Sequence, residues 1–221
     1  MPSDLHLLLV RHARSTWNAA GRWQGWADPG LAPGAKAHVA DLARRLPREP
    51  WQLWSSDLRR ARQTADLLAE ALGAPPVRVD ERLRERDLGA WSGLETSEIE
   101  ARWGPDLERF RSGELERPPG GESRRSLLER VLAALDDIGA TSLAEGSRPL
   151  VVTHGGVIRT LEAVLADGPA GPRTPTQVAP DGAVRSNLGG RWLERIGSTW
   201  HLGSPLPPPS CGRGSPARSD P

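Results

Sequence analysis

Four consecutive apolar residues, Leu7 to Val10, run directly into Arg11 and His12. No other junction in the chain constrains the fold so tightly. An apolar run of this length reads as a buried strand. A guanidinium and an imidazole at its end belong at an edge of the sheet, because ionisable side chains are rarely buried without partners. In open α/β sheets, ligands bind beyond the carboxyl ends of the strands, where the connections diverge. The junction therefore brings a nucleophile and an anion clamp together. His12 is the candidate to attack a phosphoryl group and Arg11 the candidate to hold its oxygens.

The same theme returns late in the chain. Leu150-Val151-Val152-Thr153 reads as a strand, followed by His154-Gly155-Gly156 and a helix over Val157–Ala166. Between the two, Trp51–Ser55 and Val77–Val79 read as further strands. A helix capped by Ser56-Asp57 runs to about Leu72 and stops at Gly73. Helical spacing also marks Gly34–Leu46 and a stretch from Glu122-Ser123 to about Ile138. Thr96–Trp103 reads as a short helix ended by Gly104-Pro105. Gly189-Gly190 reads as a turn joining strands Ala183–Leu188 and Trp192–Ile196. Strands alternating with helices predict an α/β fold, a three-layer α/β/α sandwich with a mostly parallel central sheet and an antiparallel edge strand. The length of 221 residues suits one catalytic domain, placed at 1–203. The Pro-, Gly- and Ser-rich stretch 204–221 reads as a disordered tail.

Charge and cysteine content narrow the function. Twenty-nine basic against 28 acidic side chains leave a net charge of +1, which argues against nucleic-acid or membrane partners. Almost all the cations are arginine, whose planar fork suits phosphate and carboxylate; Lys36 is the sole lysine. Cys211 is the single cysteine, so no internal disulfide framework and no cysteine-based zinc site is expected. The five histidines show no metal-ligand spacing, and no phosphate-binding Walker loop is present. No cofactor is expected. The start of the chain lacks the cationic region of a signal peptide, and no apolar run approaches the ~20 residues of a membrane span. A cytoplasmic location is expected. There is no repeat array or coiled coil, and oligomeric state stays open.

Four places carry candidate phosphate chemistry. At Arg11-His12, neighbouring guanidinium groups would keep the imidazole neutral and its lone pair available. At Ser55 to Ala65, Arg60 would reach the phosphate with a bidentate fork from the start of a helix, while Arg59 and Arg62 face solvent. In Leu83 to Gly89, Glu85 could protonate a leaving alkoxide and then activate water, with Asp87 and Glu81 as competing carboxylates. At His154-Gly155-Gly156, the glycines permit close approach of backbone to ligand, and His154 would stabilise charge on a non-bridging oxygen. Trp23 and Trp26, in a Gly-rich loop, could cover the organic part of a substrate.

From about Leu5 to about Leu202 the sequence resembles the histidine phosphatase superfamily, also called phosphoglycerate-mutase-like. The resemblance rests on Leu-Val-Arg-His with Trp17-Asn18 downstream, Arg22-Trp23-Gln24-Gly25-Trp26-Ala27-Asp28, Ser56 to Ala65, Glu85 to Gly93, Gly120-Gly121-Glu122-Ser123 and Thr153-His154-Gly155-Gly156. It implies that His12 is the phosphorylated nucleophile, that Arg11, Arg60 and His154 form the phosphate pocket, and that Glu85 donates the proton. Asn18 and Gln24, with Gly25 and Gly155, fall at positions lining the phosphate and substrate mouth. A metal-independent reaction through phosphohistidine on a small phosphomonoester is implied. The family usually has glycine after the nucleophilic histidine, where this chain has Ala13. Arg14 replaces a commoner acidic residue, either extending the anion pocket or pointing to solvent. Phosphatase leads over the alternative, a 2,3-bisphosphoglycerate-dependent phosphoglycerate mutase, because the segment from Gly93 to Gly120 is short. A non-catalytic phospho-ligand-binding module is the lesser alternative.

Overall fold

The computed structural model describes residues 5–165 and 186–206. Among these residues six strands form one sheet: β1 (Leu5–Arg11), β2 (Trp51–Ser55), β3 (Arg78–Val79), β4 (Arg148–Thr153), β5 (Gly190–Ile196) and β6 (Thr199–Leu206). Their order is β3-β2-β4-β1-β5-β6, parallel from β3 to β1 and antiparallel through β5 and β6. Helices α1 (Thr16–Ala19), α2 (Ala35–Arg45), α3 (Arg59–Leu72), α4 (Thr96–Ser112), α5 (Arg124–Glu145) and α6 (Gly155–Leu165) complete the elements of the three-layer fold.

Side chains of β1 alternate between two cores, as the pleat of a strand requires. Leu8 and Val10 pack with Val39 and Leu42 of α2 and with Ala61, Ala65 and Leu68 of α3. Leu5, Leu7 and Leu9 pack against Leu127, Val131, Leu135 and Ile138 of α5 and Val157, Ile158 and Leu161 of α6. Leu9 is fully buried. Its truncation, Leu9→Ala, should cost about 2–5 kcal/mol through lost burial and a residual cavity. The check is a lower urea midpoint at unchanged m-value.

The chain leaves β1 toward the α2/α3 face and leaves β4 toward the α6 face. These adjacent parallel strands thus define the switch point where a ligand crevice is expected. In their register Val10 lies opposite Val152 and Arg11 opposite Thr153. The next residues, His12 and His154, therefore emerge side by side.

Several boundaries differ from those the sequence predicts. The hairpin turn lies at Gly197, with φ +63°, between β5 and β6 rather than at Gly189-Gly190. Ser186 to Gly189 instead form a turn hydrogen-bonded to Arg11, with the Leu188 N–H donating to Arg11 O and the Arg11 N–H to Gly189 O. Ala183 to Arg185 lie outside the described residues. Strand β6 carries regular structure through Leu206, past the boundary placed at residue 203; residues 207–221, Cys211 included, lie outside the described part.

Helix α4 continues to Ser112. Gly104-Pro105 bends it at Trp103 (φ −139°, ψ 35°) instead of ending it, because Ile99 and Leu107 on either side of the bend are buried in one cluster with Trp91. Helix α5 runs past Ile138 to Glu145, with Gly139 at a close-approach position and Ser142 buried beyond it. A methyl at Gly139 would sit 2.6 Å from Leu5 Cδ2. Asp57 does not cap α3; its carboxylate accepts from Arg84 Nε at 2.8 Å. Among the described residues no helix is long and apolar enough to cross a membrane.

Candidate active site

A cavity of about 470 Å³ opens at the carboxyl edge of β1 and β4. Arg11, His12, Asn18, Gln24, Gly25, Arg60 and Glu85 all line it. His154 lies directly beneath, with its ring centroid 5.2 Å from that of His12 and the planes inclined at 58°. Residues from β1, α3, β4 and the loop after β3 thus converge although they are remote in sequence.

His12 is held in a defined tautomer. Its Nδ1 lies 2.7 Å from the carbonyl oxygen of Ala13. A carbonyl only accepts, so Nδ1 carries the proton and Nε2 keeps its lone pair. Burial, then the Arg60 and Arg11 guanidinium groups, hold the imidazolium form well below the usual histidine range. The ring is therefore neutral and nucleophilic at neutral pH. Ala13 costs nothing here: its φ is not positive, it is fully buried, and its N–H donates to Thr64 Oγ1 at 3.0 Å. The Ala13 side chain is tolerated because the position needs small volume rather than left-handed backbone.

The same electrostatics fixes the sign of a pH effect. Below about pH 6.5 the unfolded chain binds a proton at residue 12 that the folded chain does not, so the unfolded state gains protons. The stability tied to this group is complete above that pH and declines as pH falls toward the depressed folded value. Urea midpoints taken from about pH 7.5 to about pH 5 should fall more steeply for the native protein than for His12→Asn.

Arg60 is buried, and its Nη1 and Nη2 donate to the carbonyls of Ala27 (2.7 Å) and Gly25 (2.8 Å). The loop thereby fixes the guanidinium, whose pKa is lowered to about 10, chiefly by burial. Gly25 is required for this contact. It has φ +49°, and a methyl would meet Leu88 N at 2.9 Å and Ser92 Oγ at 2.8 Å. Arg11 is also depressed, by burial and by the neighbouring Arg159. Neither ring nitrogen of His154 has a hydrogen-bond partner among the described residues, although both are buried. An unsatisfied buried polar atom costs about 1–3 kcal/mol, which an oxyanion could offset.

Asn18 and Gln24 share Ser15. Ser15 Oγ lies 2.8 Å from Gln24 Oε1 and 3.1 Å from Asn18 Oδ1. Asn18 Oδ1 also accepts from the Ser15 N–H and from Asn187 Nδ2. With both side-chain oxygens engaged, their amide nitrogens are the groups left to donate to a ligand.

Glu85 accepts from the backbone N–H of Gly156 at Oε2 (3.0 Å) and of Arg86 at Oε1 (2.9 Å). Its loop is pinned from behind by Arg130, which donates to the carbonyls of Arg82, Arg84 and Glu85 and pairs with the Glu122 carboxylate at 2.7 Å. Of the three carboxylates in contention, only Glu85 lines the cavity. Glu81 pairs with Arg84 at 3.7 Å, and Asp87 accepts from Gly89 N. Arg14 is exposed and does not line the cavity. Trp23 lines it; Trp26 does not, and its indole N–H donates to Glu85 O.

Four contributors escape a reading of the sequence. Arg159 follows Gly155 by one helical turn, and a methyl at Gly155 would lie 3.1 Å from both Arg159 Nη1 and Arg11 Nε. The i, i+4 spacing from Gly155 is the signal that points to it. Arg124 and Phe110 line the cavity from α5 and α4. Asn187 donates to His12 O at 3.0 Å, and nothing local marks it.

Residues 7–184 match the family model described as histidine phosphatase superfamily (branch 1). The chain belongs to that superfamily. It is 38% identical over 165 residues to a 2,3-bisphosphoglycerate-dependent phosphoglycerate mutase of Methylobacterium sp. (strain 4-46), covering 72% of this chain and 79% of the relative. It is 38% identical over 159 residues to a metal-independent phosphoserine phosphatase of Arabidopsis thaliana, covering 70% and 66%. The structure of a mycobacterial glucosyl-3-phosphoglycerate phosphatase complexed with VO3 superposes with a TM-score of 0.77 at 30% identity, over 90% of this chain and 98% of that one. Histidine phosphatase relatives thus include both phosphatases and mutases.

Proposed function

We propose that this histidine phosphatase superfamily member hydrolyses a small phosphomonoester in two steps. His12 Nε2 attacks phosphorus and forms a phosphohistidine as the ester oxygen departs. Glu85, entering protonated, gives its proton to that oxygen. Now ionised, it takes a proton from water, whose oxygen attacks the phosphohistidine to release phosphate and restore the imidazole. Arg11, Arg60 and His154 hold the non-bridging oxygens, and the Asn18 and Gln24 amides add donors at the mouth. The observation that carries the reading is the neutral His12 ring, locked by Ala13 O and facing two guanidinium groups.

Transfer to a second hydroxyl would make the same pocket a mutase, as the name of the Methylobacterium relative illustrates. A panel of phosphorylated metabolites read by phosphate release decides between them when set beside 2-/3-phosphoglycerate interconversion with and without a bisphosphorylated primer. Phosphate release well above the interconversion rate is the expected result; primer-dependent interconversion without release would reject hydrolysis.

A further inference from the structure

The backbone that carries Glu85 has almost no regular structure to fix it. A single 3-10 turn, Glu81–Leu83, precedes it, and Arg84 to Leu88 form neither helix nor strand. Carbonyls in such a segment need donors from elsewhere. Among the described residues, side chains supply every donor that reaches the four carbonyls from Arg82 to Glu85. Thr153 Oγ1 donates to Leu83 O at 2.8 Å, and Trp26 Nε1 to Glu85 O at 2.7 Å. The remaining donors all belong to Arg130 on α5. Its Nη1 donates to Arg82 O (2.7 Å) and Arg84 O (2.8 Å), and its Nη2 to Glu85 O (2.9 Å). The two N–H groups left, on Nε and Nη2, go to Glu122 Oε1 (2.7 Å) and Oε2 (2.8 Å). A guanidinium has five N–H donors, and this one engages them all on one loop and one carboxylate brace.

We propose that Arg130, braced by Glu122, is a positioning residue for proton transfer by Glu85 and acts through the Glu85–Arg86 peptide. The proposal deepens the hydrolase reading and rests on it. A peptide group is planar, so holding Glu85 O also sets the direction of the Arg86 N–H on the opposite side. That N–H donates to Glu85 Oε1 at 2.9 Å, while the Gly156 N–H holds Oε2 at 3.0 Å. The guanidinium thus fixes the plane that steadies the carboxylate. It does so from outside the cavity, which Arg130 does not line. Lysine would keep the charge but has three N–H groups and no fork, so it cannot serve three carbonyls and a carboxylate at once. Glu122→Gln would leave the loop contacts in place and weaken only the brace.

The test compares kcat/KM for glycerol 3-phosphate, whose alkoxide needs a proton to leave, with kcat/KM for p-nitrophenyl phosphate, whose leaving group departs without one. Attack by water follows that departure and enters neither value. Arg130→Lys should lower the alkyl value by about 10²-fold, the cost of misplacing a reacting group by about 1 Å, and the aryl value by less than about tenfold. Glu122→Gln should give a smaller loss in the same direction. Inorganic phosphate should inhibit both variants as it inhibits the native protein, because the phosphate end is untouched. Arg125→Gln, which removes an exposed α5 charge paired with Glu129, should leave both values as they were. Both esters are assayed on one sample, so their ratio does not depend on the fraction of a variant that folds. An unchanged ratio in Arg130→Lys, or a loss matched by weakened phosphate inhibition, would make Arg130 a purely structural residue and overturn the proposal. An unchanged ratio in Glu122→Gln would strike out the brace. Native protein that releases phosphate from neither ester rejects the hydrolase reading itself, before any variant is compared, and takes the proposal with it.

Discussion

His12→Ala should lower kcat for phosphomonoester hydrolysis by about 10⁴-fold or more, because a residue that forms the covalent intermediate has no substitute in the same pocket. The native protein, mixed with a phosphorylated donor and quenched, should carry acid-labile phosphate on residue 12; the variant should carry none. The fold should survive, since the ring contributes one side-chain hydrogen bond, to Ala13 O, and the strand it follows is anchored by Leu7 to Val10. Near-native melting with lost turnover separates loss of chemistry from loss of structure. Turnover within about tenfold of native would rule out the phosphohistidine route. Retained phospho-ligand binding with no native turnover on any phosphomonoester or phosphoglycerate would favour a binding module.

The two strand-end histidines and their glycines are legible in the sequence because the signal is local. An apolar run fixes the strand, and the next residue cannot stay in the core. That His12 and His154 meet follows only from the parallel register of β1 on β4, which no short window encodes. Glu85 was one of three carboxylates in a charged stretch. What sets it apart in the structure is the bond from the Gly156 N–H and the Arg130 clamp on its loop, 45 residues or more away in sequence. Asn187 and Arg124 stayed hidden for the same reason, since each reaches the cavity or His12 only through the fold. The misread boundaries have a related cause. Gly104-Pro105 is a stop signal and Gly189-Gly190 a turn signal by local propensity, but packing makes the first a bend and the second a turn and strand entry beside Arg11; the helical spacing that fades at about Ile138 is carried on through Gly139, which lies against Leu5. Tertiary contacts override propensities worth about 1 kcal/mol for glycine and about 3 kcal/mol for proline inside a helix.

Glu85→Gln should lower kcat on alkyl phosphates by about 10²–10⁴-fold, the usual range for removing a general acid. The loss should be smaller for an aryl ester such as p-nitrophenyl phosphate, whose leaving group departs without a proton. Phosphorylation of His12 by the aryl donor should persist while its hydrolysis slows, because the same side chain is asked to activate water in the second step. Gly156→Ala isolates position from chemistry. A methyl there would lie 2.2 Å from Glu85 Oε1, so the carboxylate must swing away and give up its bond from the Gly156 N–H. The obstacle is the end of a flexible side chain, and alanine suits the first turn of α6 better than glycine does. Stability should therefore hold or rise slightly while kcat on alkyl phosphates falls in the same direction as for Glu85→Gln, with the same sparing of the aryl ester. Equal losses on both esters would show that Glu85 shapes the cavity instead of moving a proton.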